Sequence, residues 1–159
     1  MTEKQLTINY KQFDRVEEMD EPDRLLIEKA IEAQAGSYSP YSHFSVGAAL
    51  RLEDGSIIKG SNQENNAYPA GLCAERTAMF AAGANFPDKA FDTIAIVASH
   101  HGQMCEDPAT PCGECRQVMA EYQNKNRKPF KVILVGSKKI LKFEKVDDIL
   151  PFIFDSLKA

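Results

Sequence analysis

The chain has 159 residues, 43% of them hydrophobic and 26% charged, with a formal net charge of −4. That length suits one domain around a single core, and the net acidity offers no general attraction for a phosphate backbone, so no nucleic-acid partner is expected. No apolar run approaches the roughly 20 residues of a membrane span, so no membrane partner is expected either.

Charge is unevenly distributed. Residues 1–35 hold nine acids and five bases, whereas residues 124–159 hold four acids and nine bases. The C-terminal lysines are scattered and lack the interleaved aromatics of a stacking platform, so they predict a solvated face. Met1-Thr2-Glu3-Lys4-Gln5 lacks the basic-then-apolar order of a signal peptide. A cytoplasmic location is expected, where thiols stay reduced.

Residues 1–20 read as an arm or extension, and residues 21–159 as the domain. Asp20-Glu21-Pro22-Asp23 looks like a helix start, with acids at the positive end of the dipole and Pro in the first turn. Leu25, Leu26, Ala30, Ile31 and Ala33 supply that helix's apolar face, and Gly36 stops it. Residues 37–42 are loop. Val46 to Leu52 and Ile57 to Gly60 flank Glu53-Asp54-Gly55-Ser56, a hairpin signal. A loop from Asn62 to Gly71 leads into a helix with Cys73 and Glu75 in its first turn, ending near Gly83. Thr93 to Ala98 suits a buried strand. Thr110 is placed to cap, and Pro111 to open, a helix whose inward stripe is Cys115, Val118, Met119 and Tyr122. Val132 to Val135 and Lys139 to Phe143 are further strands, and Asp147 to Leu157 a last helix interrupted at Pro151. The alternation of strands and helices predicts a layered α/β sandwich around a mixed sheet.

The chemistry gathers in two short stretches, Cys73-Ala74-Glu75-Arg76 and Pro111-Cys112-Gly113-Glu114-Cys115. Thiols three positions apart share one face of a helical turn. Three thiolates with one open corner are the layout of a catalytic zinc site. Helix N-termini at Cys73 and Cys112 would favour thiolates, and Arg76 is the candidate cation beside them. Cys112-x-x-Cys115 alone would also suit a redox pair, but that leaves Cys73-Ala74-Glu75 without a role. A closed structural site completed by Cys105 conflicts with the six residues between Cys105 and Cys112. His100 and His101 could fill a fourth corner, but they read more simply as loop residues at a strand end. Glu75, two residues from a ligand, can reach a zinc-bound water without occupying a coordination position.

These stretches resemble the two zinc motifs of the cytidine deaminase family, in its small-subunit, three-cysteine branch. The resemblance extends to Tyr41-Ser42-His43-Phe44-Ser45-Val46-Gly47-Ala48-Ala49-Leu50 and to the loop Asn62-Gln63-Glu64-Asn65-Asn66-Ala67-Tyr68-Pro69. It implies a three-layer α-β-α sandwich around a mixed five-stranded sheet, with Zn²⁺ held by Cys73, Cys112 and Cys115 and Glu75 as proton shuttle. It further implies that Asn62 and Glu64 bind a ribose hydroxyl, that Phe44 packs on the nucleoside and that Ala74 belongs to the substrate site. The expected reaction is hydrolytic deamination of cytidine and deoxycytidine, in pyrimidine salvage. The family assembles as a homotetramer whose sites are completed by neighbouring subunits. Phe154 matches the aromatic contributed across the boundary, with Phe152 close by. Departures are the extension of about twenty residues and Gln63, where an aliphatic residue is common. Rival readings are a deaminase of a related aminopyrimidine nucleoside and, in another class, a zinc-stabilised binding module without chemistry. Glu75 separates the enzyme from the module.

Overall fold

The computed structural model describes residues 1–155. In chain order it contains β1 (Lys11–Phe13), α1 (Glu21–Ala33), β2 (Phe44–Leu52), β3 (Ile57–Ser61), α2 (Ala74–Asn85), β4 (Phe91–His100), β5 (Gln103–Met104), α3 (Gly113–Asn126), β6 (Lys131–Val135) and β7 (Ile140–Phe143). The strands form one sheet in the order β1-β7-β6-β4-β2-β3, with β5 folded back onto β4. Among the seven named strands, β4 and β6 pair in parallel and the other pairings are antiparallel.

Alternation along the strands creates three layers, because successive side chains leave a strand on opposite faces. Leu50 of β2, Ile94 and Ile96 of β4, and Val132 and Leu134 of β6 pack with Ala78 and Met79 of α2 and Met119 of α3. Ala49, Ala95, Val97, Ile133 and Val135 face the other way, onto Leu26, Ile27 and Ala30 of α1. The layered sandwich is therefore as expected. The sheet has seven strands where five were expected. The additions are β1, three residues from the N-terminal arm, and the two-residue β5, both too short to show an alternating pattern. The turn into β5 is made by His101 and Gly102 at positive φ.

Local signals account for the element ends. The Asp20 side chain accepts from the Asp23 N–H at 3.1 Å, capping α1 with Pro22 in its first turn. The hairpin between β2 and β3 turns at Gly55, whose φ of +87° suits a residue without Cβ. Two expectations need correction. First, α3 starts at Gly113, two residues later than Thr110 and Pro111 suggested. Cys112 is the cap residue with extended backbone, and Arg116 Nε donates to the Pro111 carbonyl at 2.8 Å, holding that residue outside the helix. Second, no α-helix forms over residues 147–155. A single 3₁₀ turn, Val146–Asp148, is followed by irregular chain, and residues 156 and 157 lie outside the described residues. Pro151 has no N–H to give a helix and restricts Leu150. The backbone finds α3 instead: Arg116 donates to the Ile149 carbonyl at 3.0 Å, and Gln117 pairs with both backbone groups of Phe154. Among the described residues, no helix is long and apolar enough to cross a membrane.

One end of the sheet is closed by charge. Asp23 of α1, 1% exposed, takes Arg51 of β2 at 3.0 Å and Lys142 of β7 at 2.5 Å. Arg51 also reaches Asp92 at 2.8 Å, and Lys131 reaches Asp92 at 3.4 Å. Removing one member of a buried pair leaves its partner charged without compensation. Asp23→Ala is thus expected to lower the unfolding free energy by about 3–5 kcal/mol in urea titrations. A loss under about 1 kcal/mol would show that solvent reaches the network.

Candidate active site

The opposite end of the sheet gathers the thiols, and topology is the reason. Because β3 and β4 are both antiparallel to β2, β3 runs parallel to β4, and β4 runs parallel to β6. Helix α2 connects β3 to β4, and α3 connects β4 to β6, on the same face. Both helices must then begin at one edge of the sheet. Cys73 and Cys112, the residues immediately preceding α2 and α3, are the two cap residues.

Close packing seats these helix starts. A Cβ on Gly60 of β3 would lie 2.4 Å from Ala78 N and 2.5 Å from Ala74 O, so the first turns of α2 rest on the strand backbone. Cys115 lies in the first turn of α3 and is fully buried. The sulfurs of Cys73, Cys112 and Cys115 all lie within 4.8 Å of one another, and they are the only such group of three His, Cys, Asp or Glu among the described residues. Cys73 and Cys112 are 3.9 Å apart. Two thiolates on a tetrahedral zinc with Zn–S of about 2.3 Å would be about 3.8 Å apart. The donor set and spacing fit Zn²⁺.

Electrostatics separate the three sulfurs. The hydrogen bond with Cys115 pulls the Cys73 thiol down to about 5 against the effect of its burial, and Arg76 Nη2, 3.7 Å away, adds to the pull. Cys115 is pushed up by the same bond and by burial. Arg76 is itself held by Glu114 at 2.8 Å, so an ion pair ties the first turn of α2 to that of α3. Glu75 is only 5% exposed, and burial, with the charge of Cys73 in addition, raises its carboxyl above the usual range. A buried carboxyl raised in this way suits a group that must pick up and release a proton.

Beside the thiols lies a cleft of about 480 Å³, whose walls include Tyr41, Asn62, Glu64, Tyr68, Cys73 and Arg76. The 62–64 stretch is held extended by bridges from Gln63 to Tyr38 and to Leu72, which puts Asn62 and Glu64 on one face. Glu64 accepts from the Tyr41 N–H at 2.9 Å and from the backbone and hydroxyl of Ser42. The Ser42 hydroxyl bond, first among these, holds its carboxyl below the usual range. Asn62 ties down the start of β2 through Phe44 and Val46.

The structure therefore brings together Cys73, Cys112, Cys115, Glu75, Arg76, Asn62 and Glu64. Ala74 is fully buried as the first residue of α2. Phe44 and Phe154 do not line the cleft. The Phe44 ring faces His100 at 6.2 Å, and Phe154 is 62% exposed with its backbone on Gln117. Sequence reasoning missed the tethering roles of Ser42, Glu114, Arg116 and Gln117. Polar residues next to a motif carry no signal of which distant backbone they will meet.

Residues 20–128 match the family model described as the cytidine and deoxycytidylate deaminase zinc-binding region. The chain belongs to this family. It is 48% identical over 98 residues to a cytidine deaminase of Halalkalibacterium halodurans, covering 62% of this chain and 70% of that protein. It is 39% identical over 93 residues to one from Mycobacterium tuberculosis, covering 58% of this chain and 65% of the relative. The crystal structure of cytidine deaminase from Burkholderia pseudomallei superposes with a TM-score of 0.70 at 39% identity, covering 86% of this chain and all of that one.

If the three thiols act as one ligand set, Cys73→Ser, Cys112→Ser or Cys115→Ser should each lower zinc from one per chain to well below it. Elemental analysis after exhaustive dialysis checks this. Full occupancy in any of the three variants would remove that residue from the set.

Proposed function

We propose that this protein is a zinc-dependent deaminase that hydrolyses cytidine and deoxycytidine to uridine and deoxyuridine with release of ammonia. The observation that carries the reading is a nearly buried carboxylate, Glu75, in the same helical turn as one of three converging thiols. A purely structural zinc site would have no use for it. In this reading Cys73, Cys112 and Cys115 hold the metal, and the Arg76 guanidinium offsets their excess negative charge. Residues 21–159 carry the chemistry, and residues 1–20 are an appendage whose β1 pairs at the far edge of the sheet.

When bound, zinc supplies a Lewis acid that lowers the pKa of a water into the neutral range. The chain's own work is proton handling and orientation. Glu75 takes a proton from the attacking water and delivers it to ring N3, which leaves C4 electron-poor. Once the water oxygen has bonded to C4, Glu75 takes the remaining proton from that new hydroxyl and delivers it to the amino nitrogen, so that the C4–N bond breaks, ammonia leaves and the C4 carbonyl forms. Asn62 and Glu64 hold the sugar, fixing the distance from the ring to the thiol cluster. The decrease in ultraviolet absorbance on adding cytidine or deoxycytidine tests the assignment. No change with either, by zinc-loaded protein, would overturn it. Turnover of only some other aminopyrimidine nucleoside would redirect it to that substrate. In Glu75→Gln, turnover should fall by at least roughly 10²–10⁴-fold, the worth of a general base, with zinc retained. Near-normal turnover would remove Glu75 as the shuttle.

Assembly and setting belong to the same proposal. The protein acts as a homotetramer with sites completed by neighbours, in pyrimidine salvage in the cytoplasm. Support comes from aromatic surface left uncovered on one chain: Phe152 is 87% and Phe154 62% exposed, and Tyr68 on the cleft rim 83%. Large aromatic side chains left this exposed suit burial against another subunit. Light scattering should report four chains. Mixing inactive Glu75→Gln and Phe154→Arg proteins under subunit exchange should restore activity, because some interfaces then pair an intact Glu75 with an intact Phe154. No recovery after demonstrated exchange would count against shared sites.

A further inference from the structure

Asn62 has almost no hydrogen-bonding capacity left for a ligand. Its Oδ1 accepts from the Val46 N–H at 2.8 Å and from the Ser37 hydroxyl at 2.6 Å, while its Nδ2 donates to the Phe44 carbonyl at 2.9 Å. The two backbone bonds decide which end of the amide is which, since an N–H must meet the oxygen and a carbonyl must meet the nitrogen. Ser37 has one hydroxyl hydrogen and Asn62 Oδ1 has none, so that hydrogen belongs to the 2.6 Å contact. The Ser39 hydroxyl stands 3.2 Å from that of Ser37 and 3.2 Å from that of Ser45, making a row of three half-buried hydroxyls that ends on the amide. Hydroxyls in series polarise one another and stiffen the arrangement. With both lone pairs of Oδ1 engaged, Asn62 can present only one Nδ2 N–H to the cleft it lines. Glu64, on the same face, is an acceptor only when ionised.

We propose that Ser37, backed by Ser39 and Ser45, is a positioning residue that sets the polarity of the sugar-binding face. By occupying the second lone pair of Asn62, it makes Asn62 a donor beside Glu64, an acceptor. A group bound between them must accept from one and donate to the other, which an alcohol hydroxyl does and a hydrogen or ether oxygen does not. Without Ser37, Oδ1 regains a free lone pair beside the Glu64 carboxylate, and the pairing loses its direction. This inference rests on the proposed nucleoside substrate.

The test compares Ser37→Ala and Ser37→Thr, the latter keeping the hydroxyl, on cytidine and on 2′,3′-dideoxycytidine. Ser37→Ala should raise KM for cytidine roughly three- to tenfold, as for one lost hydrogen bond, with kcat and zinc content held. KM for the dideoxy compound should change less than about twofold, and threonine should restore the cytidine value. An equal rise on both substrates would mean a general structural role, and no rise on cytidine would mean no role; either overturns the proposal. An arm independent of turnover follows the side-chain amide resonances of Asn62 by ¹⁵N-correlated NMR. They should shift or broaden in Ser37→Ala and return in Ser37→Thr, and unchanged resonances in Ser37→Ala would overturn the proposal. Wild-type protein that leaves cytidine untouched would sink the functional reading instead, and the NMR arm would still decide whether Ser37 orients the amide.

Discussion

Everything at the site depends on two helices being forced to start at the same edge of the sheet. β3, β4 and β6 run parallel and α2 and α3 connect them across one face of the sheet, which leaves the two helices no other place to begin. Cys73 and Cys112 are 39 positions apart in the chain, yet their sulfurs meet at 3.9 Å. Helix starts also carry unpaired N–H groups, so the geometry that converges the thiols also favours their ionised form. Loose seating of either helix would separate the sulfurs. Gly60 prevents this for α2 by letting strand and helix backbones touch, and the Gly83 notch, where a Cβ would lie 2.1 Å from the Tyr122 hydroxyl, keys α2 against α3.

The two ends of the sheet use charge differently. At the Arg51–Thr93 end, Asp23 and Asp92 each bind two of three cations, Arg51, Lys131 and Lys142, tying α1, β2, β4, β6 and β7 together. At the opposite edge, three sulfurs and Glu75 gather four acidic groups around one nearby guanidinium, itself shared with Glu114, so that ionising one of them hinders the others. Like charges held close are unfavourable in an empty site, and a divalent cation removes the conflict. The end that closes the core pairs each of its carboxylates within the chain, whereas the end that does chemistry needs zinc to offset its thiolates.

Several irregular segments of the chain are fixed by side chains holding backbone. Asn62 anchors the start of β2, Glu64 anchors the Tyr41–Ser42 turn, and Arg116 and Gln117 anchor the C-terminal segment. Gln117 acts as a one-rung strand partner for Phe154, donating to its carbonyl and accepting from its N–H. Irregular chain kept by such bonds holds its position without regular secondary structure, which suits loops that must recognise a small polar ligand.

How much was legible in the amino-acid order follows the range of the forces involved. The apolar runs in residues 46–52, 93–98 and 132–135, the Asp20–Pro22 helix start and the Asp54-Gly55 turn are local, and they determined the strands, the first helix and the layered architecture. The spacing of Cys112 and Cys115 and the position of Glu75 beside Cys73 are also local, and so were readable as metal chemistry. The rest required tertiary structure because it depends on groups far apart in sequence. Thr110 and Pro111 made an acceptable helix start by local rules, but Arg116 and the extended backbone of Cys112 moved the start to Gly113. Residues 147–155 had apolar residues and acids enough for a helix, but Pro151 broke the ladder and α3 supplied replacement partners. The pairing of β1 with β7 and the polarity of the Asn62 amide are likewise long-range. Sequence by itself determined which chemistry this protein carries; only tertiary structure decided how its groups are aimed, because hydrogen bonds between distant segments leave no periodic trace in the chain.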